Sequence, residues 1–240
     1  MTPQQIKEEL RRNYPYRIEL HAHTHPASGC SEVSPRELAD IYSGLEYDAI
    51  VLTNHFMHQG ERMSKAEYMS RYFYDYEQTE YFCQQHGMKV YLGAEIRFTE
   101  NTNDYLVYGV DRALLEDVYD FLPYGVVNFR EKYAIPNSVF IQAHPKRDHI
   151  IPIDPAILDG YEVFNMHPGH NGRIGIAALM AKENPDLIVT GGSDFHHPNR
   201  KHEGVAAMRA PYLPKDSWDV AKLMKSRNYA MEIGRNHLVL

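Results

Sequence analysis

Arg17-Ile18-Glu19-Leu20-His21-Ala22-His23-Thr24-His25 begins as a β-strand and ends as a row of imidazoles. Alternate residues of a strand share a face, so His21 and His23 project together from one strand end. Two imidazoles held side by side on stiff backbone are half of a metal site. A lone histidine there would be read as a strand cap. A cluster weakens that reading, and ligand-type residues at other strand ends weaken it further.

Outward from this stretch, β-rich apolar runs recur at residues 17–21, 48–53, 89–94, 105–110, 138–143, 161–164 and 187–190. A run at 204–208 is a further strand or a connection. Ser34-Pro35-Arg36-Glu37 is a capping box with proline at the first helical position and opens a helix over 35–46. Ser64 with Glu67 repeats the box and opens a long tyrosine-rich helix that ends near Gly87. Helices over 112–121, 174–182 and 215–226 complete the set. Tyr68, Tyr72 and Tyr76 follow helical spacing, which favours core packing over a ligand box.

Strands alternating with helices imply a largely parallel sheet. About seven such units without a GxGxxG loop favour a closed barrel over a dinucleotide-binding open sheet. Barrel enzymes place their chemistry where strands end. The expected strand ends carry His21 and His23, then Thr53-Asn54-His55, Gly93-Ala94-Glu95, Ala143-His144-Pro145, Asn165-Met166-His167 and Gly192-Ser193-Asp194-Phe195-His196. The fourth strand ends in Gly109-Val110-Asp111 and is the weak case, with Asp111 read as a helix cap. Scattered surface histidines would not collect at strand termini, so the pattern points to metal.

The bulk properties fit such a protein. A chain of 240 residues suffices for a single domain with a sizeable core. No apolar run is long enough to span a bilayer, and the N-terminus reads as polar, without a secretory apolar region. The two cysteines, Cys30 and Cys83, suggest no disulfide framework, so a cytoplasmic location is expected. A net charge of −7 argues against a broad nucleic-acid surface. Nitrogen and carboxylate ligands without thiolate pairs suit Zn, Mn or Fe better than Mg alone. The ligand count exceeds the needs of one tetrahedral ion, and Glu95 or Asp194 could bridge two ions about 3.5–4 Å apart. Phosphoryl transfer suits such a site, because charge must be neutralised on several oxygens at once.

His21-Ala22-His23, Ser34-Pro35-Arg36-Glu37-Leu38, Tyr47 to His55, Gly93-Ala94-Glu95-Ile96, Ala143-His144-Pro145 and Gly192-Ser193-Asp194-Phe195-His196 occur in this order within residues 17–200. In them the chain resembles the PHP (polymerase and histidinol phosphatase) family of metal-dependent phosphoesterases. The resemblance implies an α/β fold, a distorted TIM-like (β/α)7 barrel, with two or three ions at the C-terminal ends of its strands. It implies that His21, His23, Glu95 and Asp194 hold a first ion and that Glu95 bridges to a second with His144. His55 and His196 would hold a third. Cys30 stands where the family often has Asp or His for that third ion, and Asn54 where it often has Asp beside His55. His167 or Asn165 is the candidate for a further second-ion ligand. His25, His58, His149, His170, His197 and His202 are left as loop residues.

The reading is hydrolysis of a small-molecule phosphomonoester by a metal-bound hydroxide. Asp194 and His196 are candidates to move protons as well as ligate. Arg97, Arg147 and Arg173 are candidate substrate-binding residues, since a guanidinium forks onto two phosphate oxygens; Lys146, between Pro145 and Arg147, is a further candidate. Two alternatives remain: an amidohydrolase-type C–N hydrolase, which shares the early HxH and late Asp, and a catalytically inactive metal-binding barrel.

Overall fold

A computed structural model of the chain describes residues 2–133, 136–198, 205–234 and 237–239. His202 and Gly204 lie outside the described residues. Helix α1 (Pro3–Asn13) leads into strand β1 (Tyr16–Ala22), then α2 (Pro35–Gly44), β2 (Ala49–Leu52), β3 (His55–Met57), α3 (Lys65–Gln85) and β4 (Lys89–Arg97). There follow β5 (Asp104–Tyr108), α4 (Arg112–Phe121), α5 (Val126–Lys132), β6 (Val139–Gln142), β7 (Gly160–Asn165), α6 (Ile174–Glu183) and β8 (Ile188–Gly192). The chain closes with β9 (Ala206–Ala210), α7 (Ser217–Ser226), β10 (Ala230–Ile233) and β11 (His237–Val239).

Seven strands form the staves in the order β1-β2-β4-β5-β6-β7-β8. The ring is closed beyond the end of β8, where Phe195 bridges to Ala22 and the His23 N–H donates to the Phe195 carbonyl at 3.2 Å. The fold is thus the expected distorted TIM-like barrel, with one correction to its sheet. β5 runs antiparallel to both β4 and β6. β9 adds antiparallel to β1, and β10 and β11 extend that edge. The barrel interior is apolar below the site, with Ile18, Leu20, Val51, Leu106, Tyr108 and Ile141 in one cluster that α7 plugs with Val220, Leu223 and Met224.

The helix starts follow their sequence signals unevenly. Ser34 and Glu37 form a reciprocal capping box on α2. Ser64 caps α3 through the Glu67 N–H, but the Glu67 carboxylate turns instead to Arg71 one turn on, at 2.8 Å, so only half of that box forms. Asp111 caps α4 at the Leu114 N–H, as expected. On α3, Tyr68 and Tyr72 are buried, and their hydroxyls donate to the carbonyls of His55 and Asn54 at 2.9 and 3.1 Å. They pack the core and also hold the backbone on which His55 sits. No helix among the described residues is long and apolar enough to cross a membrane.

Candidate metal centre

β1 carries one extra residue against β2 between Glu19 and Ala22. This bulge shifts the alternation, so Ile18 and Leu20 join the interior cluster while His21 and His23 reach the carboxylates at the mouth. A bulge frees backbone N–H groups that must find partners when buried. The buried Glu19 carboxylate supplies them: Oε1 accepts from the N–H groups of Leu20, His21 and Ser193 at 3.0, 2.9 and 3.0 Å. Burial pushes the Glu19 carboxyl above its ordinary range. Gly192 lets β8 close on this bulge, since a Cβ there would lie 2.3 Å from the His21 Cβ.

Glu95, fully buried, lies at the centre. Its Oε1 is 3.3 Å from His21 Nε2 and 3.1 Å from His144 Nε2. Its Oε2 is 3.4 Å from His23 Nε2 and 2.9 Å from His55 Nδ1. The last approach follows from the sheet, because β3 pairs parallel to β4 with His55 opposite Glu95. Asp194 Oδ1 stands 3.5 Å from His21 Nε2, 3.4 Å from His23 Nε2 and 3.3 Å from His196 Nδ1. His144 and Asp194 both hold positive φ, 30° and 49°, backbone conformations that cost energy away from glycine and recur at functional sites. Burial alone would raise the Glu95 carboxyl, but the positive charges of His55 and His21 outweigh it and hold it well below the usual range. Asp194 is held low in the same way, chiefly by His21 against burial. Burial drives His23 well below the ordinary imidazole value, with the charge of His196 adding to it.

A cavity of about 230 Å³ opens above this cluster, and its lining includes Cys30, Arg97, Asp104, Arg147, His167 and His170. Arg147 donates to Asp194 Oδ2 and, at 3.0 Å, to Asn165 Oδ1. Arg97 Nε donates to Asp104 Oδ1 at 2.6 Å. Cys30 is exposed beside His55 and His196; burial pushes its thiol up, but hydrogen bonds to His196 and His55 outweigh this and bring it down to about 6. Burial lowers His167 to about 4.

The buried atoms His21 Nε2, His23 Nε2, His55 Nδ1 and Glu95 Oε2 have no hydrogen-bond partner among the described residues. Buried polar atoms left so are costly, and here they converge. The trios His21/His23/Glu95, His23/His55/His196 and His55/Glu95/Asp104 each present ligand atoms within 4.8 Å of one another. Nitrogen and carboxylate donors, unpaired and converging, fit divalent metal ions.

The structure therefore gathers His21, His23, His55, Glu95, His144, Asp194 and His196 into one cluster and sets Arg97 and Arg147 on its rim. It does not bring Arg173 there: that guanidinium is exposed and engages Asp148 and the Lys146 carbonyl. Three acidic residues were missed by sequence reasoning. Asp104 opens β5, and because β5 runs in reverse its first residue, not its last, reaches the mouth. Glu162 accepts from His21 Nδ1 at 2.7 Å; its signal is a lone carboxylate inside the apolar run of β7. Asp75 is buried on α3 behind Asn54.

No protein-family model matches the chain, and no curated protein matches its sequence. Solved structures do match. One is a two-domain protein of Bacteroides vulgatus containing a predicted PHP-like metal-dependent phosphoesterase, at TM-score 0.61 and 16% identity over 91% of this chain. This chain spans only 65% of that protein's length. PsfC of Pseudomonas syringae matches at TM-score 0.59 and 15% identity, over 87% of both chains. A candidate metal-dependent phosphoesterase of Bifidobacterium adolescentis matches at TM-score 0.51 and 17% identity, over 86% of this chain and 95% of its own. At such identities the likeness is one of fold: the chain has the barrel of the PHP-like metal-dependent phosphoesterases, with His/Glu clusters at its mouth that could bind metal.

Proposed function

We propose that this chain is a metal-dependent phosphoesterase acting on small-molecule phosphomonoesters. The observation that carries the reading is Glu95, whose two oxygens face different pairs of imidazoles, while His21 Nε2, His23 Nε2, His55 Nδ1 and its own Oε2 lack hydrogen-bond partners among the described residues. That is the placement of a bridging carboxylate. Two or three divalent ions (Zn, Mn or Fe) bound there would supply an activated water near neutral pH and neutralise charge on the phosphoryl oxygens. His21, His23, Glu95 and Asp194 would hold one ion, and Glu95 with His144 and Asp104 a second. His55 and His196 would hold a third, with Cys30 beside them.

The protein's own groups set the rest. Arg97 and Arg147 are already oriented by carboxylates at the rim, and their remaining N–H groups would take phosphate oxygens. Asp194 and His196, adjoining through a 3.3 Å contact, are placed to move a proton between ligand cluster and cavity. Arg173 is left out of the proposed substrate set because Arg97 and Arg147, and not Arg173, line the cavity, and its guanidinium turns to Asp148. A cavity of about 230 Å³ with a largely polar and charged lining suits a compact polar ester.

The test is a chelator-stripped protein assayed against a panel of phosphomonoesters, phosphodiesters and cyclic amides, then reloaded with Mn or Zn. Phosphomonoester hydrolysis should vanish on stripping and return on reloading. Turnover confined to amides would reassign the chain to C–N hydrolysis, and no turnover by the fully loaded protein would contradict any hydrolase reading.

A further inference from the structure

A ligating imidazole must present a bare nitrogen to the metal, and the hydrogen bond made by its other nitrogen decides which one is bare. For His21 the partner is direct. For His23 it is the Ser28 hydroxyl, 3.1 Å from Nδ1. A hydroxyl can donate or accept, so by itself it fixes nothing.

The surroundings of Ser28 remove that freedom. Its Oγ donates to Asn54 Oδ1 at 2.8 Å, which uses its one hydrogen. The same oxygen accepts the His55 N–H at 2.9 Å. Only a lone pair is left for His23, so Nδ1 must carry the proton and Nε2 is bare toward Glu95 and Asp194. This holds only while Asn54 presents oxygen, not nitrogen, to Ser28. Two groups enforce that. The Thr24 N–H donates to Asn54 Oδ1 at 2.7 Å. On the other side, Asn54 Nδ2 donates to Asp75 Oδ2 at 3.2 Å and to Thr24 Oγ1 at 2.9 Å, and the Thr24 hydroxyl in turn donates to Asp75. Asp75, Asn54, Ser28 and His23 are all buried, so water does not offer the amide an equal alternative.

We propose that Asp75, acting through Asn54 and Ser28, is a positioning residue that locks His23 in the Nδ1–H tautomer and so makes Nε2 a ligand. The inference rests on the metal reading for its purpose but not for its test. In metal-free protein with 15N-labelled histidine, long-range proton–nitrogen correlations report which ring nitrogen is protonated, and a His23→Asn variant identifies the His23 signals. Wild type should show His23 protonated on Nδ1. Asp75→Ala and Ser28→Ala should raise the Nε2–H fraction and weaken Mn²⁺ binding by about 10–100-fold, the usual cost of losing a ligand's outer partner. The exchange variant Asn54→Asp/Asp75→Asn keeps one amide, one carboxylate and an acceptor toward Ser28, and should retain both wild-type readouts.

His23 protonated on Nε2 in wild type overturns the proposal. So does an Asp75→Ala protein with wild-type tautomer and affinity. If Asp75→Ala does not fold, Ser28→Ala and the exchange variant decide, and loss of the tautomer in the exchange variant overturns it. Failure of wild type to bind Mn²⁺ would sink the functional reading while leaving the tautomer result standing.

Discussion

The two walls of the site orient neighbouring histidines by different means. On the β7 side a buried carboxylate touches the imidazole directly, Glu162 Oε1 against His21 Nδ1 at 2.7 Å. On the α3 side the carboxylate is remote, and a hydroxyl and an amide stand between Asp75 and His23. Both arrangements give Nδ1 an acceptor, so the neutral imidazole keeps its proton there and turns Nε2 toward the ligand cluster. They differ in charge. Glu162 adds its negative charge to the cluster and draws His21 well above the ordinary imidazole value against burial, whereas His23 is held well below it. A barrel mouth crowded with Glu95, Asp194, Asp104 and Glu162 gains the second tautomer lock without a further charge beside the ligands.

Changes at Glu95 should erase the distinction, because both walls serve it. Glu95→Gln should abolish ion binding on either side and lower phosphoesterase activity by on the order of 10³-fold or more, beyond the cost of an outer partner; metal analysis and initial rates check this. Glu162→Gln should weaken metal binding by about 10–100-fold. It should also lower the pH at which metal-free His21 titrates, since the charge that raises it is gone, and NMR titration reads the shift. If Glu162→Gln and Ser28→Ala shift His21 and His23 alike, the contrast between charged and neutral support is wrong. Gly192→Ala would set a Cβ 2.3 Å from the His21 Cβ, an overpacking worth about 1–3 kcal/mol. Thermal unfolding should show the loss, with metal affinity reduced on the His21 side first.

Ser34→Ala, at the exposed start of α2, should cost about 1 kcal/mol of stability and leave metal affinity unchanged. Its partner Glu37 is held below the usual carboxylate range by the Ser34 hydroxyl and backbone N–H. That contribution is complete above the unfolded pKa of about 4.3 and is lost as pH falls through the lower folded value. Acid titration of unfolding in wild type and variant should converge there.

What the sequence disclosed follows from how locally each feature is encoded. His21, His23, Glu95, His144 and Asp194 lie in the last residues of β1 and β4 or just beyond β1, β6 and β8, and were legible from strand order. Asp104 was not, because reading each strand from its end assumes every strand points toward the mouth, and β5 does not. Strand direction is a property of the assembled sheet. Asp75 was hidden more deeply: it lies 21 residues from Asn54 on a helix whose pattern speaks only of packing. Helix α1 was missed although Thr2 and Gln5 form a reciprocal capping box. Strands β10 and β11 lie beyond β9, outside the seven staves, so no strand-end chemistry marks them.

In the proposed site Glu95 is a carboxylate shared by at least two ions. Titration of chelator-stripped protein with Mn²⁺, following phosphomonoester hydrolysis and bound metal together, tests that sharing. Little hydrolysis is expected at one equivalent, with a rate that climbs as the second loads. A full rate at one equivalent, or none at saturation, would contradict it.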